Sequence, residues 1–347
     1  MKDLSNIVQH LVLWYQKNAR VLPWRENTCA YGVWISEIML QQTRVEAVKE
    51  YYVRFLEELP TVKHLAEVSD EKLLKLWQGL GYYSRAKNLK KAAIEIMEKY
   101  YGEIPNDYHK LLQLKGIGEY TAGAICSIAF GKPEAAIDGN VLRVMTRLYA
   151  DDRDIMSKTL RKEYTESIKQ VLKCTQPNIF NQALMELGAT ICLPNGIPKC
   201  EQCPIKQHCK AYEQNNILEF PHKAAKKQKR IENRMMFFIL CQNKLALHKR
   251  EEKGLLSNLW ELPNALTEKT STEQLLYWGI NYNNIKEMGE AKHVFTHIEW
   301  HMQGYLVFAN SFENTSNFVW VTQNDLQQEY ALPSAFSKYI KKGWDIV

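Results

Sequence analysis

No run of about 18 apolar residues occurs anywhere in this 347-residue chain, which excludes a membrane-spanning helix. The N-terminus lacks the features of a secretory signal. MKDLSNIVQHLVLWYQKNAR mixes acids and amides into its apolar positions, carries no small-residue cleavage site, and reads as an amphipathic helix. Internal repeats and low-complexity tracts are also missing, and a composition of 46% hydrophobic and 24% charged residues is far from that of a disordered chain. An ordered, soluble, cytoplasmic protein of about two domains is expected. Charge of one sign is scarce: the net charge is only +6, and it is not spread evenly. Residues 1–221 carry 29 basic and 26 acidic side chains, residues 222–234 carry 6 and 1, and residues 235–347 carry 10 and 12, so most of the excess sits in one short segment. A balance this mild is weak evidence for a nucleic-acid partner. Cysteine is sparse but crowded: of the positions 29, 126, 174, 192, 200, 203, 209 and 241, four fall between 192 and 209. A secreted disulfide framework would spread its cysteines through a much shorter chain, so the crowding points to a metal or cluster site in a reducing compartment. Cys29, Cys126, Cys174 and Cys241 read as core residues.

From about 6 to 214 the apolar residues recur at three and four, as in Ile7, Leu11, Trp14 and Tyr15, with no strand-like stretch between them. Short punctuation at Leu22-Pro23, Leu59-Pro60, Gly79–Gly81 and Ile104-Pro105 predicts about ten helices on brief turns. Segment 222–234, HKAAKKQKRIENR, reads as a basic linker or exposed arm. Beyond it the texture changes. Residues 235–242 and 244–250 predict a hairpin turning at Asn243, 304–309 and 317–322 predict further strands, and 271–279 and 323–330 predict helices. The expected architecture is an all-α domain over 1–221, a linker over 222–234 and a small α+β domain over 235–347.

Four motifs carry chemistry. In Leu114-Lys115-Gly116-Ile117-Gly118-Glu119-Tyr120, two glycines sit between a short helix (107–113) and a longer apolar one (120–130). They serve either as a plain turn or as a cradle whose amides meet phosphate at a helix N-terminus. Asp138, in Ile137-Asp138-Gly139-Asn140-Val141, precedes a helix and suits an N-cap as well as a catalytic carboxylate. Glu37 is the lone acid in the apolar stretch Val33–Leu40. It either faces solvent at a helix boundary or is desolvated, which would raise its pKa toward neutrality. The spacing Cys192-x7-Cys200-x2-Cys203-x5-Cys209 lets four thiolates wrap one centre, a zinc ion or a four-iron cluster.

Taken in order, Leu22-Pro23-Trp24-Arg25, Ser36-Glu37-Ile38-Met39-Leu40-Gln41-Gln42-Thr43, Leu80-Gly81-Tyr82-Tyr83-Ser84-Arg85, the Gly116/Gly118 hairpin and Ile137–Val141 resemble the MutY-type adenine DNA glycosylases of the helix-hairpin-helix superfamily. The resemblance runs from about residue 10 to 212 and continues more weakly afterwards. It implies an all-α helix-hairpin-helix glycosylase domain (hairpin about 107–130, iron–sulfur cluster loop 192–209) followed by a Nudix-like α+β domain. It implies Glu37 as the acid that protonates adenine, Asp138 as the carboxylate facing the sugar, Asn140 as its support, and Tyr120 near the sugar. Gln42 and Tyr82 become wedges in the base stack, and Gly116, Gly118 and Arg25 become DNA contacts. Lyase-competent members of the superfamily carry lysine where this chain has Tyr120, so the resemblance implies a monofunctional enzyme. It favours a [4Fe-4S] cluster on Cys192, Cys200, Cys203 and Cys209, with zinc as the alternative. The first gap of seven residues departs from the usual six. The C-terminal stretch Gly254–Pro263 is similar to the opening of the Nudix module, but 264–280 lacks that module's acidic hydrolase helix. Phe295-Thr296-His297 stands where the family has Phe-Ser-His and is implied to read 8-oxoguanine. A metal site on His293, His297 and His301, completed by Glu299, competes with that reading. The implied partner is duplex DNA with adenine opposite 8-oxoguanine or guanine, engaged by a monomer, near the nucleoid if the source is bacterial. The basic linker is expected to lie near the DNA backbone. Rival expectations are an endonuclease III-like pyrimidine glycosylase/lyase and a non-catalytic DNA-damage binder.

Overall fold

The computed structural model describes residues 2–224, 228–312 and 317–346. They group into an N-terminal unit, 1–67 with 87–225, and a C-terminal unit, 68–86 with 226–347. Segment 68–86, read from its periodicity as part of a continuous helical array, therefore packs with the strands that follow 226. Residues 225–227 of the expected linker lie outside the described residues.

The N-terminal unit is helical: α1 (Ser5–Asn18), α2 (Pro23–Glu26), α3 (Ala30–Leu40), α4 (Val45–Glu58) and α5 (Val62–Glu67). After α6 (Asp70–Leu76), which belongs to the other unit, it resumes at Lys87 within α7 (Ser84–Tyr100). Then come α8 (Tyr108–Gln113), α9 (Glu119–Ala124), α10 (Gly139–Tyr149), α11 (Lys158–Leu172), α12 (Pro177–Thr190) and α13 (Lys210–Glu213). Leu4, Ile7 and Leu11 of the first turns close over Leu142, Met145, Phe180, Leu184 and Leu187. Helix α3 is apolar on every side, and Tyr31 through Met39 are all buried, as a helix without a polar face must be. That placement settles Glu37: it lies inside the unit and not at a solvent boundary. The hairpin forms as expected, α8 capped by Asp107 and α9 by Gly118, and α9 continues into a π-turn over Ile125–Ala129. Gly116 holds φ +82°, and a Cβ there would come within 2.7 Å of Asn88, so both conformation and space require glycine.

The C-terminal unit contains a sheet ordered β3-β2-β1-β6-β5, with β4 pairing β1 and β7 pairing β2. Its strands are β1 (Arg230–Cys241), β2 (Lys244–Lys249), β3 (Trp260–Glu261), β4 (Asn264–Leu266), β5 (Tyr282–Val294), β6 (Ile298–Ala309) and β7 (Val319–Val321). Its helices after α6 are α14 (Ser271–Tyr277), α15 (Gln323–Gln328) and α16 (Ser337–Ile346). The β1–β2 hairpin turns at Gln242 and Asn243, both with positive φ, as expected for a two-residue turn. Along β1, Met235, Phe237 and Ile239 enter one core, and Met236, Phe238 and Leu240 enter another. The unbroken apolar run follows from burial of both faces. One expectation is corrected. β1 starts at Arg230, so residues 230–234 are strand and not linker. They pair in parallel with Ile298–Met302, which satisfies their backbone groups. Arg230 and Arg234 both engage Glu232, so two of the charges assigned to a free basic arm are held within the sheet. The long hairpin strand β5 lies over 282–294, where no strand was expected; its charged, amide-rich sequence hides the alternation.

Candidate active site

The expected catalytic residues meet at one cleft of about 840 Å³ in the N-terminal unit. Glu37 is 5% exposed, on α3. Tyr120, on the first turn of α9, donates a short hydrogen bond to its Oε2. Burial pushes the Glu37 carboxyl up to about 7; the nearby charge of Asp138 adds to that, while Tyr120 and Arg25 oppose it. Burial and the charge of Glu37 drive the Tyr120 hydroxyl well above its ordinary value, so it remains a proton donor at neutral pH.

Asp138 takes the N-cap role its sequence allowed and faces the same cleft as Glu37. Its carboxylate caps α10 by accepting from the Val141 amide at 2.8 Å, and its second oxygen accepts from Asn140 Nδ2 at 2.7 Å. Burial raises its pKa and these hydrogen bonds oppose the rise. Asn140 Oδ1 accepts from Arg143 Nη2 at 2.9 Å. The same guanidinium donates to Gly188 O at 2.7 Å and Cys192 O at 2.9 Å. A Cβ at Gly188 would lie 2.6 Å from Asn140 Cβ, so the glycine permits this approach of α12 to α10. Sequence reasoning missed Arg143, which reads as one more charge on an amphipathic helix.

It also missed Glu186. This carboxylate is fully buried on α12 and accepts from Arg20 Nε at 2.6 Å, Arg20 Nη2 at 2.8 Å and Arg25 Nη2 at 2.8 Å. Burial works against its charge, but the two arginines outweigh that and hold its pKa at about 2. The signal was available, since Glu186 is the lone acid of an apolar helix, as Glu37 is. Arg25, expected at DNA, lies on the cleft wall with its guanidinium engaged by Glu186 and the Arg20 carbonyl. Gln42 is exposed at the cleft edge with φ +61°.

Gly116 and Gly118 lie at the exposed hairpin loop, and a Cβ on Gly118 would meet nothing within 4 Å. Glu119, an acid in a loop expected to meet phosphate, is exposed on the first turn of α9, where a negative charge suits the helix end. Tyr82, in the C-terminal unit, is 46% exposed with φ +47°.

Phe295-Thr296-His297 form the tip of the β5–β6 hairpin. The Phe295 amide closes the turn on Ile298 O at 2.8 Å, and its ring packs on His293 and Trp300. Lys229 Nζ donates to Phe295 O at 2.7 Å, and the Arg230 amide donates to His297 O at 3.1 Å. Thr296 and His297 are exposed. Around the competing histidines, Glu299 is held by His301 at 2.7 Å and by Lys292 at 2.5 Å, and strand geometry separates His293, His297 and His301. The one carboxylate of α14, Glu273, caps its own helix through a capping box with Thr270.

Cys192, Cys200, Cys203 and Cys209 line one small cavity walled by Val144, Leu148, Leu187 and Ile205, and none is in a disulfide. Arg147 Nη1 donates to Cys192 Sγ at 3.2 Å. Among the described residues, no three His, Cys, Asp or Glu side chains meet closely enough to hold a single metal ion. The thiols thus share a space without converging on a point.

Comparison with known proteins identifies both domains. The HhH-GPD superfamily base excision DNA repair protein model matches residues 35–170, and a NUDIX domain model matches residues 235–342. An adenine DNA glycosylase of Buchnera aphidicola (subsp. Baizongia pistaciae) is 35% identical over 344 residues, covering 96% of this chain and 95% of its own. The human adenine DNA glycosylase is 34% identical over 358 residues, covering 85% of this chain and 65% of its own. A solved thermostable thymine-DNA glycosylase superimposes with a TM-score of 0.54 at 28% identity, covering 60% of this chain and 96% of its own.

Proposed function

We propose, on the premise that the chain belongs to the adenine DNA glycosylase family of base excision repair, that it removes adenine paired with 8-oxoguanine or guanine by hydrolysis, without cutting the strand. The observation that carries this reading is the pairing of Glu37 and Asp138 in one cleft with different hydrogen-bond partners. Burial pushes the Glu37 carboxyl up to about 7; it raises the Asp138 pKa as well, but there an amide and an asparagine hydrogen-bond the charged form and oppose the rise. A base must leave the stack to reach such a site. Glu37, protonated, delivers its proton to the leaving purine, and Tyr120 steadies that carboxyl. Asp138, kept in place by Asn140 and Arg143, stabilises the sugar as it gains oxocarbenium character. Tyr120 has no amine with which to attack the sugar, so the product is an abasic site. Arg20, Arg25 and Glu186 supply a polar wall beside the base.

The hairpin amides at Gly116 and Gly118 hold backbone phosphate. Gln42 and Tyr82 act as wedges. Both are non-glycine residues in left-handed backbone, a costly conformation that concentrates at functional positions. The exposed 295–297 turn reads 8-oxoguanine, Thr296 keeping the hydroxyl that serine would supply. What supports a [4Fe-4S] cluster is the cavity shared by four thiols, none in a disulfide, in a chain of the HhH-GPD base excision repair family. Cys192, Cys200, Cys203 and Cys209 would hold it. The enzyme works as a monomer on DNA, and among the described residues no helix is long and apolar enough to cross a membrane.

The test is a duplex panel of adenine opposite 8-oxoguanine, adenine opposite guanine, and thymine glycol opposite adenine, scored with and without alkali. Strand breaks that need alkali and occur only with the adenine duplexes are expected. Nicking without alkali, or action on thymine glycol, overturns the reading. Broad visible absorbance of the purified protein, with iron and sulfide in equal amounts, checks the cluster.

A further inference from the structure

We propose that Lys75 is a positioning residue for Tyr82, fastening α6 to the end of α15 so that the C-terminal unit holds the turn that carries the wedge ring. The inference rests on the reading of Tyr82 as a wedge. Lys75 Nζ donates at 3.1 Å to Leu326 O and at 3.1 Å to Tyr330 O. These carbonyls lie in and just beyond the last turn of α15, where backbone oxygens lack helical partners and the helix end is negative. A half-buried ammonium satisfies two of them at once. The anchor is firm: Leu326 enters the sheet core, and the Tyr330 ring packs edge-on against Trp260 at 5.0 Å. Burial lowers the Lys75 pKa, as for an ammonium withdrawn from water. A second tie, Glu71 to Lys249 at 3.6 Å, is exposed and contributes little.

From α6 the chain enters a turn that is stiff in itself. Trp77 Nε1 donates to Gly81 O at 3.1 Å, and Arg85 Nη2 donates to Leu80 O and Gly81 O, both at 3.1 Å. The Arg85 guanidinium lies 5.3 Å from the Trp77 ring and 5.7 Å from the Tyr82 ring. Gly79, Gly81 and Tyr82 all have positive φ, and the tyrosine needs its surroundings to keep it there. At the far end, the Tyr82 hydroxyl is 3.3 Å from Thr296 Oγ1. Segment 70–85 is therefore tied to α15 at one end and to the 295–297 turn at the other. Through Lys75, the unit that reads the opposite base also sets the wedge.

The test uses the full-length protein with Lys75→Met, Lys75→Arg, Tyr82→Ala and the double variant Lys75→Met/Tyr82→Ala. Affinity for an adenine:8-oxoguanine duplex, the single-turnover excision rate and hydrogen exchange over residues 77–84 are measured. Lys75→Met is expected to weaken duplex binding roughly five- to tenfold, the size of two lost hydrogen bonds. It should speed exchange over 77–84, change the saturated excision rate less than the affinity, and lose most of its effect in the Tyr82→Ala background. Lys75→Arg should recover most of the affinity. An equal loss in both backgrounds, or wild-type exchange over 77–84, overturns the proposal. Full affinity and activity in Tyr82→Ala alone would instead overturn the wedge reading. If Lys75→Met does not fold, Lys75→Gln replaces it, with the same comparison of backgrounds.

Discussion

In the cleft, Glu37 sits on a helix buried on every side, while Thr296 and His297 sit at the exposed tip of a hairpin. The cleft buries Glu37 and rings its carboxylates with donors from α2, α9 and α10. The hairpin tip leaves its side chains in solvent and fixes only its backbone, through the Phe295 amide, Lys229 and the Arg230 amide. A group that must hold a proton near neutrality needs a low-dielectric site on rigid elements, whereas a group that must meet an incoming base needs exposure and a fixed path. Substitutions in the two places should accordingly fail in different ways.

The largest effect is expected for Glu37→Gln. Excision should fall by about a thousandfold, within the usual range for a general acid, while duplex binding persists. Turnover near wild type would break the contrast at its strongest point. Glu186→Ala leaves Arg20 and Arg25 without their buried partner, and calorimetric or denaturant unfolding should show a loss of about 3 kcal/mol together with slower excision. The pH profile sharpens the comparison further. In the proposed mechanism Glu37 acts while protonated, so the single-turnover rate should be highest below about 7 and fall as pH rises through that value. Tyr120→Phe removes a hydrogen bond that favours the charged form, so the inflection should move upward in that variant. At the hairpin, Thr296→Val should leave excision opposite guanine unchanged and cut the preference for 8-oxoguanine about fivefold, the size of one hydrogen bond. Thr296→Ser should preserve the preference. A preference unmoved by Thr296→Val would mean that the hydroxyl does not read the lesion.

Removing everything beyond 225 is a poorer test of the reader than these substitutions. It would also strip α6 and Tyr82 of the unit they pack with.

Much of the cleft was legible because its chemistry breaks local patterns. Glu37 interrupts an apolar helix, Asp138 precedes a helix start, and two glycines punctuate a hairpin. Glu186 carried the same signal as Glu37 and went unread because no motif surrounded it. Arg143 carried none, since its role comes from bridging Asn140 of its own helix, Gly188 of α12 and Cys192 in the loop beyond. In the other unit, the Gln242-Asn243 turn announced itself, but β5 did not, because a strand with one wet face and many charges shows weak alternation.

The amino-acid sequence by itself determined the two fold classes, the four clustered thiols and the absence of lysine at position 120. These follow from residue type and short-range periodicity, which act within one or two turns of helix or a few residues of strand. Glu37, Asp138, Asn140 and Tyr120, by contrast, were singled out as one site by resemblance to a family and not by pattern. Only the tertiary structure decided that Glu37 is dry, that Glu186 neutralises two arginines, that β1 reaches back to Arg230, and that residues 68–86 side with the C-terminal unit. Each of these depends on partners 50 or more positions away in the chain. Desolvation and ion pairing are properties of the space around a side chain, and that space is set by distant segments.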